Sequence, residues 1–276
     1  MTRYSARMPM AGKVSLVGAG PGEPELLTIK AHRLLRQADL VLHDDLVSAA
    51  VIALAGPRTI LVNVGKRCGT KRITQTEINA LMVEAAREGK QVVRLKSGDP
   101  GIFGRLNEEI ETLHAENISF EVVPGVTAAN AAAASLGVSL TDRHKSSRVV
   151  FVSGHQAGSK GPADEPDWNS LAQQNATIVV YMPGNGLRHL SRKLVAAGLP
   201  PDTCSVVVAQ ASRAQQKQFW TTVGGLADFD SAASPSILLI GQTLEAAASR
   251  AALQNLFADE AFQLLTHAQH ERRIAS

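Results

Sequence analysis

Three polar clusters in the first half of the chain carry side chains that can act as acids, bases or anion ligands. His43-Asp44-Asp45 follows the apolar run ADLVL, Gly65-Lys66-Arg67 follows TILVNV, and Ser97-Gly98-Asp99 follows VVRLK. Acids and bases at the carboxyl ends of neighbouring strands are the expected layout of an α/β active site. Each cluster taken singly also fits a solvated loop charge, so the prediction depends on the three occurring together.

The stretch from Val92 to Glu109, VVRLKSGDPGIFGRLNEE, combines an apolar run, a glycine-rich loop and a helical pattern with paired acids. Gly98 and Gly101 tolerate backbone angles that other residues avoid, and they let a ligand approach the main chain. Pro100 fixes φ and removes a donor, which gives the loop a defined shape. The pattern predicts a ligand-binding loop between a strand and a helix, and the competing interpretation is a tight turn without a ligand.

Basic residues are clustered along the chain, although the net charge is only +3. Such groups suit a polyanionic small molecule, because arginine binds carboxylates through two parallel hydrogen bonds. The competing interpretation is ordinary surface charge. The basic residues concerned are Lys66, Arg67, Lys71, Arg72, Arg105, Arg143, His144, Lys145 and Arg148.

The elements that must position these residues follow from alternating apolar runs and helical spacing. Five predicted strands alternate with predicted helices, among them 26–37 and 46–54. Thr74-Gln75-Thr76-Glu77 is typical of a capping box that opens a third helix. This alternation predicts a doubly wound α/β domain.

A second series of strands and helices begins after Pro124-Gly125. It predicts a second α/β domain, with the active-site cleft between the two domains. The predicted organisation is a leader at 1–12, domains at 13–124 and 125–245, and a terminal helix and tail at 246–276.

Composition narrows the class of protein. The two cysteines, Cys68 and Cys204, form no metal-ligand pattern and indicate a reducing compartment. No apolar run has membrane-spanning length, and aromatic residues, at 4%, are too few for a base-stacking surface. We therefore expect a cytoplasmic protein that binds no membrane, no nucleic acid and no metal.

The first loop, VGAGPGEPE at 17–25, has two competing interpretations. A strand followed by G-x-G suggests a dinucleotide-binding turn. That fingerprint requires a third glycine where Glu23 stands, and Pro21 and Pro24 delay the helix whose N-terminus would hold the pyrophosphate. The second interpretation is a Gly-Pro turn that only reverses the chain.

Taken together, these motifs resemble the tetrapyrrole methylase family. The resemblance covers nearly everything from about residue 13 to 245, and its motifs occur in the family's order. The matching stretches are VGAGPGEPELLTIKA (17–31), ADLVLHDDLVS (38–48), VGKRCG (64–69), QTEIN (75–79), GKQVVRLKSGDPGIFGR (89–105), FEVVPGVTAA (120–129), GVSLTDR (137–143), VSGH (152–155) and VVYM (179–182).

The resemblance implies an S-adenosylmethionine-dependent enzyme that methylates uroporphyrinogen III at C2 and then at C7, giving precorrin-2 and S-adenosylhomocysteine. It also implies a homodimer, with the methyl donor in the cleft between the two domains. The implied general base is Asp44 and the implied proton donor is Lys66. The donor-binding positions match Pro21, Ser97, Gly98, Asp99, Ile102, Thr127, Ala128, Met182 and Ala211, and the tetrapyrrole contacts match Arg105, Glu108 and Arg143.

Four departures from the family pattern bear on substrate choice. Asp45 replaces an expected arginine, Ser97 replaces a glycine, and Leu106-Asn107 replace Gly-Gly. An acid in place of an arginine is unfavourable near a polycarboxylate. Two alternatives therefore remain open: a later precorrin methylase of cobalamin synthesis and a non-catalytic tetrapyrrole-binding relative. The length is that expected of a stand-alone methylase, whose product supplies sirohaem, cobalamin or haem d1.

Overall fold

The structure is a computed structural model that describes residues 12–65, 73–154, 166–173, 175–184, 186–229 and 234–252. The predicted proton donor Lys66, with Arg67, Lys71 and Arg72, lies outside the described residues. The chain forms two compact units, each described by itself below. Unit 1 comprises the residues up to Ala131 together with Ala211–Gln215, and unit 2 comprises Ala132–Gln210 and the residues from Gln216 onward.

Unit 1 contains a five-stranded sheet in which every pair of neighbouring strands is parallel. Its strand order is β3-β2-β4-β1-β5. The strands are rich in valine, leucine and isoleucine, as expected for a sheet covered on both faces. They are β1 (Lys13–Gly18), β2 (Leu40–His43), β3 (Ile60–Asn63), β4 (Gln91–Lys96) and β5 (Phe120–Val123).

Helices cover both faces of this sheet because the strand side chains alternate in direction. Val14 and Leu16 pack with the helices α3 and α4, whereas Val17 packs with α1 and α2. In β4 the same alternation places Arg94 and Lys96 toward α4, where both contact Glu109. These helices are α1 (Ile29–Gln37), α2 (Ala49–Ile52), α3 (Gln75–Arg87) and α4 (Leu106–Ala115). The next helix, α5 (Ala128–Ser135), contains the boundary between the two units.

Side-chain caps explain where three of these helices begin. The predicted capping box is confirmed, since Thr74 and Glu77 bond reciprocally at the start of α3. The predicted helix 26–37 begins only at Ile29, because Pro24–Leu26 form a separate turn and Thr28 caps α1. The predicted helix 46–54 is reduced to α2, because the Ser48 hydroxyl caps it and donates to the Gly22 carbonyl at 2.6 Å.

Unit 2 contains a mixed five-stranded sheet with the order β6-β7-β10-β8-β9. Strands β6 and β7 are parallel, and the other three pairs are antiparallel. The elements are β6 (Arg148–Ser153), α6 (Trp168–Gln173), β7 (Ala176–Tyr181), α7 (Leu187–Ala196), β8 (Cys204–Ala209), β9 (Lys217–Thr222) and β10 (Ser236–Ile240).

The core of unit 2 is formed by the inner faces of β7, β8 and β10 against α7. Leu187, Leu190 and Leu194 of α7 pack on Ile178 and Leu238. The chain is helical again over 245–252. The prediction of two α/β domains is confirmed by the two sheets and their helices. Among the helices that the structure describes, none is long and apolar enough to cross a membrane.

Glu121 gives unit 1 a predictable response to acid. Its carboxylate accepts a hydrogen bond from Lys13 at 2.7 Å and pairs with Lys30, and these contacts lower the pKa of Glu121 to about 2. Because the folded pKa lies below the unfolded value, the stabilisation is complete above the unfolded pKa, about 4.5, and is lost as the pH falls toward 2. We expect Glu121→Gln to lower the melting temperature at pH 7 but not at pH 2.

Thermal unfolding followed across this pH range tests the expectation. Glu111→Gln is the matched control, because Glu111 is exposed on α4 and forms no ion pair with the described residues. A Glu121→Gln deficit that is equal at pH 7 and pH 2 would contradict the assignment.

Candidate functional site

The candidate site lies at the carboxyl edge of the unit 1 sheet, where four loops follow β2, β4, β1 and β5. The strand register pairs His43 with Leu95, Lys96 with Gly18, and Val17 with Val123. Neighbouring strands lie about 5 Å apart, so the loops that leave them are neighbours as well. The structure thus brings Asp44 to the loop next to Ser97-Gly98-Asp99, as the spacing of the motifs predicted.

Four glycines lie where the loops after β1, β4 and β5 pack main chain on main chain. Gly98 donates to the Gly20 carbonyl at 2.8 Å and Gly20 donates back at 3.2 Å. A Cβ on Gly125 would lie 2.2 Å from the Gly98 oxygen, and one on Gly18 would lie 2.6 Å from the Gly125 nitrogen. Glycine is therefore required for close approach at these positions.

The Asp99 carboxylate fastens two of these loops together. Its Oδ1 accepts from the Gly101 N–H at 2.8 Å and its Oδ2 accepts from the Gly125 N–H at 3.0 Å. Hydrogen bonds from main-chain N–H groups to a carboxylate are among the stronger ones in proteins. Asp99 therefore shapes the surface that its loop offers to a ligand.

The main chain at Gly98 is open on the side where a side chain would stand. Gly98 has φ +68°, and a Cβ added there would meet nothing nearer than the Thr127 Cα at 3.8 Å. The surroundings are mostly main chain and small side chains, which suits a nucleoside held by backbone groups. The predicted donor-binding residues at this edge are Pro21, Ser97, Gly98, Asp99, Ile102, Thr127 and Ala128.

Two other predicted donor-binding residues come from the second half of the chain. Met182 follows β7 in unit 2, and its side chain is exposed. Ala211 is buried and begins the short segment that belongs to unit 1.

Left-handed backbone is concentrated at predicted site residues. Phe103, Arg105, Met182, Gln210 and Ser212 all have φ between 51° and 63°. This conformation costs a residue other than glycine roughly 1–2 kcal/mol, and it persists where the surroundings enforce it. Two of the five, Arg105 and Met182, are predicted site residues, and Gln210 and Ser212 flank a third, Ala211. Phe103 presents an exposed aromatic ring two residues before Arg105.

Asp44 is the outer member of a buried ionic network. Its Oδ1 lies 2.5 Å from Arg94 Nη2, and Arg94 Nε donates to Glu109 Oε1 at 3.0 Å. Lys96 Nζ lies 2.8 Å from both Glu109 oxygens. The side chains of Arg94 and Lys96 are 3% exposed and that of Glu109 is 0% exposed, whereas Asp44 is 32% exposed.

The electrostatics of this network follow from burial. Burial and the neighbouring Arg94 lower the pKa of Lys96, and Glu109 opposes that change. Buried charges are tolerated when they are paired and hydrogen-bonded, as these are. The network therefore places a fixed positive group against the carboxylate of Asp44.

Arg105 forms a bidentate ion pair with Glu108 at the start of α4. Its Nε and Nη2 lie 2.7 and 2.6 Å from the two carboxylate oxygens, and this bonding raises the pKa of Arg105. Both side chains are exposed. Arg143, the third predicted substrate contact, is exposed in unit 2.

The departure at Asp45 has a structural role. Asn63 at the end of β3 donates to Asp45 Oδ1 at 2.8 Å and accepts from the Gly65 N–H at 2.7 Å. A Cβ on Gly65 would overlap the Asp45 side chain. Asp45 therefore packs against the start of the loop after β3.

No role was predicted from the sequence for Arg94, Glu109 or Arg213. A usable signal was present in β4, where Arg94 and Lys96 are charged residues at alternate positions of an otherwise apolar strand. Arg213 donates to the Pro21 carbonyl at 3.2 Å and to the Leu46 carbonyl, and thereby joins the loops after β1 and β2. No local pattern predicts that contact, because 192 residues separate Arg213 from Pro21.

The chain is similar in sequence to a known protein family and to several of its members. A model of the Tetrapyrrole (Corrin/Porphyrin) Methylases matches residues 13–227. The chain is 43% identical over 239 residues to an S-adenosyl-L-methionine-dependent uroporphyrinogen III methyltransferase from Methanosarcina barkeri, covering 84% of this chain and 92% of the relative. It is also 44% identical to the siroheme synthase of Nitrosospira multiformis over 86% of this chain, but it spans only about half the length of that relative.

A solved structure has the same fold. The uroporphyrin-III C-methyl transferase from Thermus thermophilus, complexed with S-adenosylhomocysteine, superposes with a TM-score of 0.74 at 36% identity. The match covers 85% of this chain and all of that chain.

Proposed function

The chain belongs to the tetrapyrrole methylase family, and on that premise we propose that it methylates uroporphyrinogen III at C2 and then at C7, giving precorrin-2. The observation that carries the proposal is the position of Asp44, one strand away from the glycine-rich loop that begins at Ser97. A base and a donor-binding loop on adjacent strands are what alkylation of a carbon followed by proton loss requires.

The methyl donor of the proposal is S-adenosylmethionine, which is converted to S-adenosylhomocysteine. When bound, the donor supplies a methyl group on a sulfonium centre. Pro21, Gly98 and Thr127 of the carboxyl edge would hold it, with Met182 and Ala211 from later in the chain. Asp99 keeps this surface in shape through the Gly101 and Gly125 N–H groups. Positioning of two reactants can supply much of the rate of a displacement.

Asp44 is the proposed general base. A proton must leave the macrocycle after the carbon is alkylated. The partly exposed carboxylate of Asp44, at the carboxyl edge of the sheet, can accept it. Lys66 is the proposed proton donor, although it lies outside the described residues. Support for the reaction comes from the relative in Methanosarcina barkeri, which matches over nearly its whole length.

Arg105, Glu108 and Arg143 are the proposed contacts for the eight carboxylates of uroporphyrinogen III. Glu108 accepts two hydrogen bonds from the Arg105 guanidinium. We propose that Glu108 orients this guanidinium toward the substrate. We also propose that the protein acts as a homodimer in the cytoplasm and serves sirohaem or cobalamin synthesis. The siroheme synthases among its relatives support the first of those routes.

Arg105→Ala tests the substrate contact. Loss of a charge-assisted hydrogen-bonded pair is expected to raise KM for uroporphyrinogen III by about 10- to 100-fold, with a smaller change in kcat. Arg87→Ala is the control, because Arg87 is also an exposed arginine paired with a glutamate, Glu116. An unchanged KM for Arg105→Ala would remove Arg105 from the site.

The proposed reaction is tested by offering two acceptors anaerobically, uroporphyrinogen III and precorrin-2, each with S-adenosylmethionine. Mass spectrometry of the products counts the methyl groups gained. We expect two on uroporphyrinogen III and none on precorrin-2. Methylation of precorrin-2 alone would instead identify a later methylase of the same family.

A further inference from the structure

We propose that Arg94 is the positioning residue for Asp44, and that the buried Glu109–Lys96 pair fixes Arg94 in turn. The inference rests on the proposed function, because it takes Asp44 to be the general base. It assigns a role in catalysis to three charged side chains that lie behind the site.

The contacts of Arg94 fix its guanidinium on several sides. Nη2 binds the Asp44 carboxylate, and Nη1 donates to the carbonyls of Leu42 and Leu95 at 3.3 and 3.4 Å. Nε donates to Glu109. Leu42 belongs to β2 and Leu95 to β4, so the guanidinium is held against the main chain of the sheet. Its orientation is therefore set by main-chain atoms of the central strands of unit 1.

Glu109 is the anchor of the network. Its fully buried carboxylate accepts from Arg94, from Lys96 on both oxygens and from Gln75 at 3.3 Å. Two buried cations, Arg94 and Lys96, face this single buried carboxylate. Buried charges need partners, and Asp44 is the second anion that balances the group.

The arrangement directs the carboxylate of Asp44. Arg94 holds Oδ1, which is the side-chain oxygen of Asp44 that has a partner among the residues described. The Asp44 N–H donates to the Leu95 carbonyl at 3.2 Å, so backbone and side chain are both tied to β4. With Oδ1 fixed, Oδ2 is the oxygen left to take a proton from the substrate.

A lysine cannot replace Arg94 in this position without loss. The guanidinium reaches Asp44, Glu109 and two carbonyls at once through a planar fork of donors, whereas an ammonium is a single point of charge. Arg94→Lys keeps the positive charge that Glu109 and Asp44 require, and it removes the fixed geometry. This substitution therefore separates positioning from charge balance.

The test is a double-mutant cycle of Arg94→Lys and Asp44→Asn in the full chain, with S-adenosylmethionine and uroporphyrinogen III as substrates. Arg94→Lys alone is expected to lower kcat by about 10- to 100-fold, the scale of a misplaced catalytic group. KM and the calorimetric affinity for S-adenosylhomocysteine should change by less than about threefold, since these report binding rather than the base. Combined with Asp44→Asn, Arg94→Lys should cost less than about twofold more, because both act on one step.

The matched control is Arg87→Lys. Arg87 is the last residue of α3, at the opposite end of that helix from the site, and it pairs with Glu116.

Two outcomes would overturn the inference. One is that the effects of Arg94→Lys and Asp44→Asn on kcat multiply. The other is that Arg94→Lys lowers the donor affinity and the melting temperature together. If Arg94→Lys does not fold, Arg94→Gln provides the same cycle, because it releases Asp44 from the guanidinium and leaves the buried Glu109 paired with Lys96. Wild-type protein that methylates no tetrapyrrole would contradict the proposed function itself, whereas active wild type with multiplicative effects contradicts only the role of Arg94.

Discussion

Asp44→Asn is expected to lower kcat for methyl transfer to uroporphyrinogen III by about 100- to 10,000-fold, the usual contribution of a positioned general base. The amide keeps the size of the side chain and can still accept from Arg94, so the ionic network loses charge but not its shape. Donor binding depends on the neighbouring loops, and the affinity for S-adenosylhomocysteine should therefore change by less than about threefold.

Asp45→Asn is the matched control for this substitution. Asp45 is the next residue in the same loop, and its side chain binds Asn63 rather than the Arg94 network. Single-turnover kinetics and calorimetry on both variants measure the chemical step and the donor affinity separately. An Asp44→Asn variant that keeps its turnover but no longer binds donor would show that Asp44 serves the donor and not the macrocycle.

Gly125→Ala is expected to have the second large effect, a loss of donor affinity of about 100-fold or more. The new Cβ would lie 2.2 Å from the Gly98 oxygen and 2.9 Å from the Gly18 Cα. Both are main-chain atoms, so the loops must move apart. That movement would also break the hydrogen bond from the Gly125 N–H to Asp99. Overpacking of this kind typically destabilises by about 1–3 kcal/mol in addition.

Gly186→Ala provides the control for this change. Gly186 precedes α7, and a Cβ there would meet the Pro183 oxygen at an ordinary 3.5 Å. Calorimetric titration with S-adenosylhomocysteine measures the affinity, and thermal unfolding shows whether each variant is folded. If Gly125→Ala is unfolded, Asp99→Asn weakens the same loop contact without any overlap. Unchanged donor affinity in the folded variant would exclude these loops from the donor site.

Much of unit 1 could be predicted from the sequence, because local rules agree with the fold there. Buried parallel strands need nearly continuous apolar runs, and these marked β1, β2 and β4. The capping box of α3 is a purely local motif. Ligands of open α/β sheets bind at the carboxyl ends of the strands. That generalisation predicted from the sequence alone that Asp44 lies near Ser97-Gly98-Asp99.

The remainder depended on contacts that no local pattern encodes. The short α2 follows from the Ser48 hydroxyl, which both caps the helix and bonds to Gly22, 26 residues earlier. Asp99 was predicted from the sequence to contact the donor. In the structure its carboxylate joins two loops. Arg94 and Glu109 come together only when β4 and α4 have packed. The roles of the individual site residues and the domain boundaries drawn from the sequence stay predictions.

The substitution of an acid at Asp45 also has a physical explanation. On charge alone it is unfavourable near a polycarboxylate. Hydrogen bonding to Asn63 turns Asp45 toward the end of β3, where it supports the loop that starts at Gly65. The departure is thus compatible with the same substrate class.

The most direct measurement is anaerobic reaction of uroporphyrinogen III with S-adenosylmethionine labelled with ¹³C in its methyl group, followed by ¹³C NMR of the product. The proposed function predicts two labelled methyl groups on the macrocycle, one on C2 and the other on C7, with S-adenosylhomocysteine formed in equal amount. Label on any other carbon, or none on the macrocycle while the protein binds donor, would contradict it.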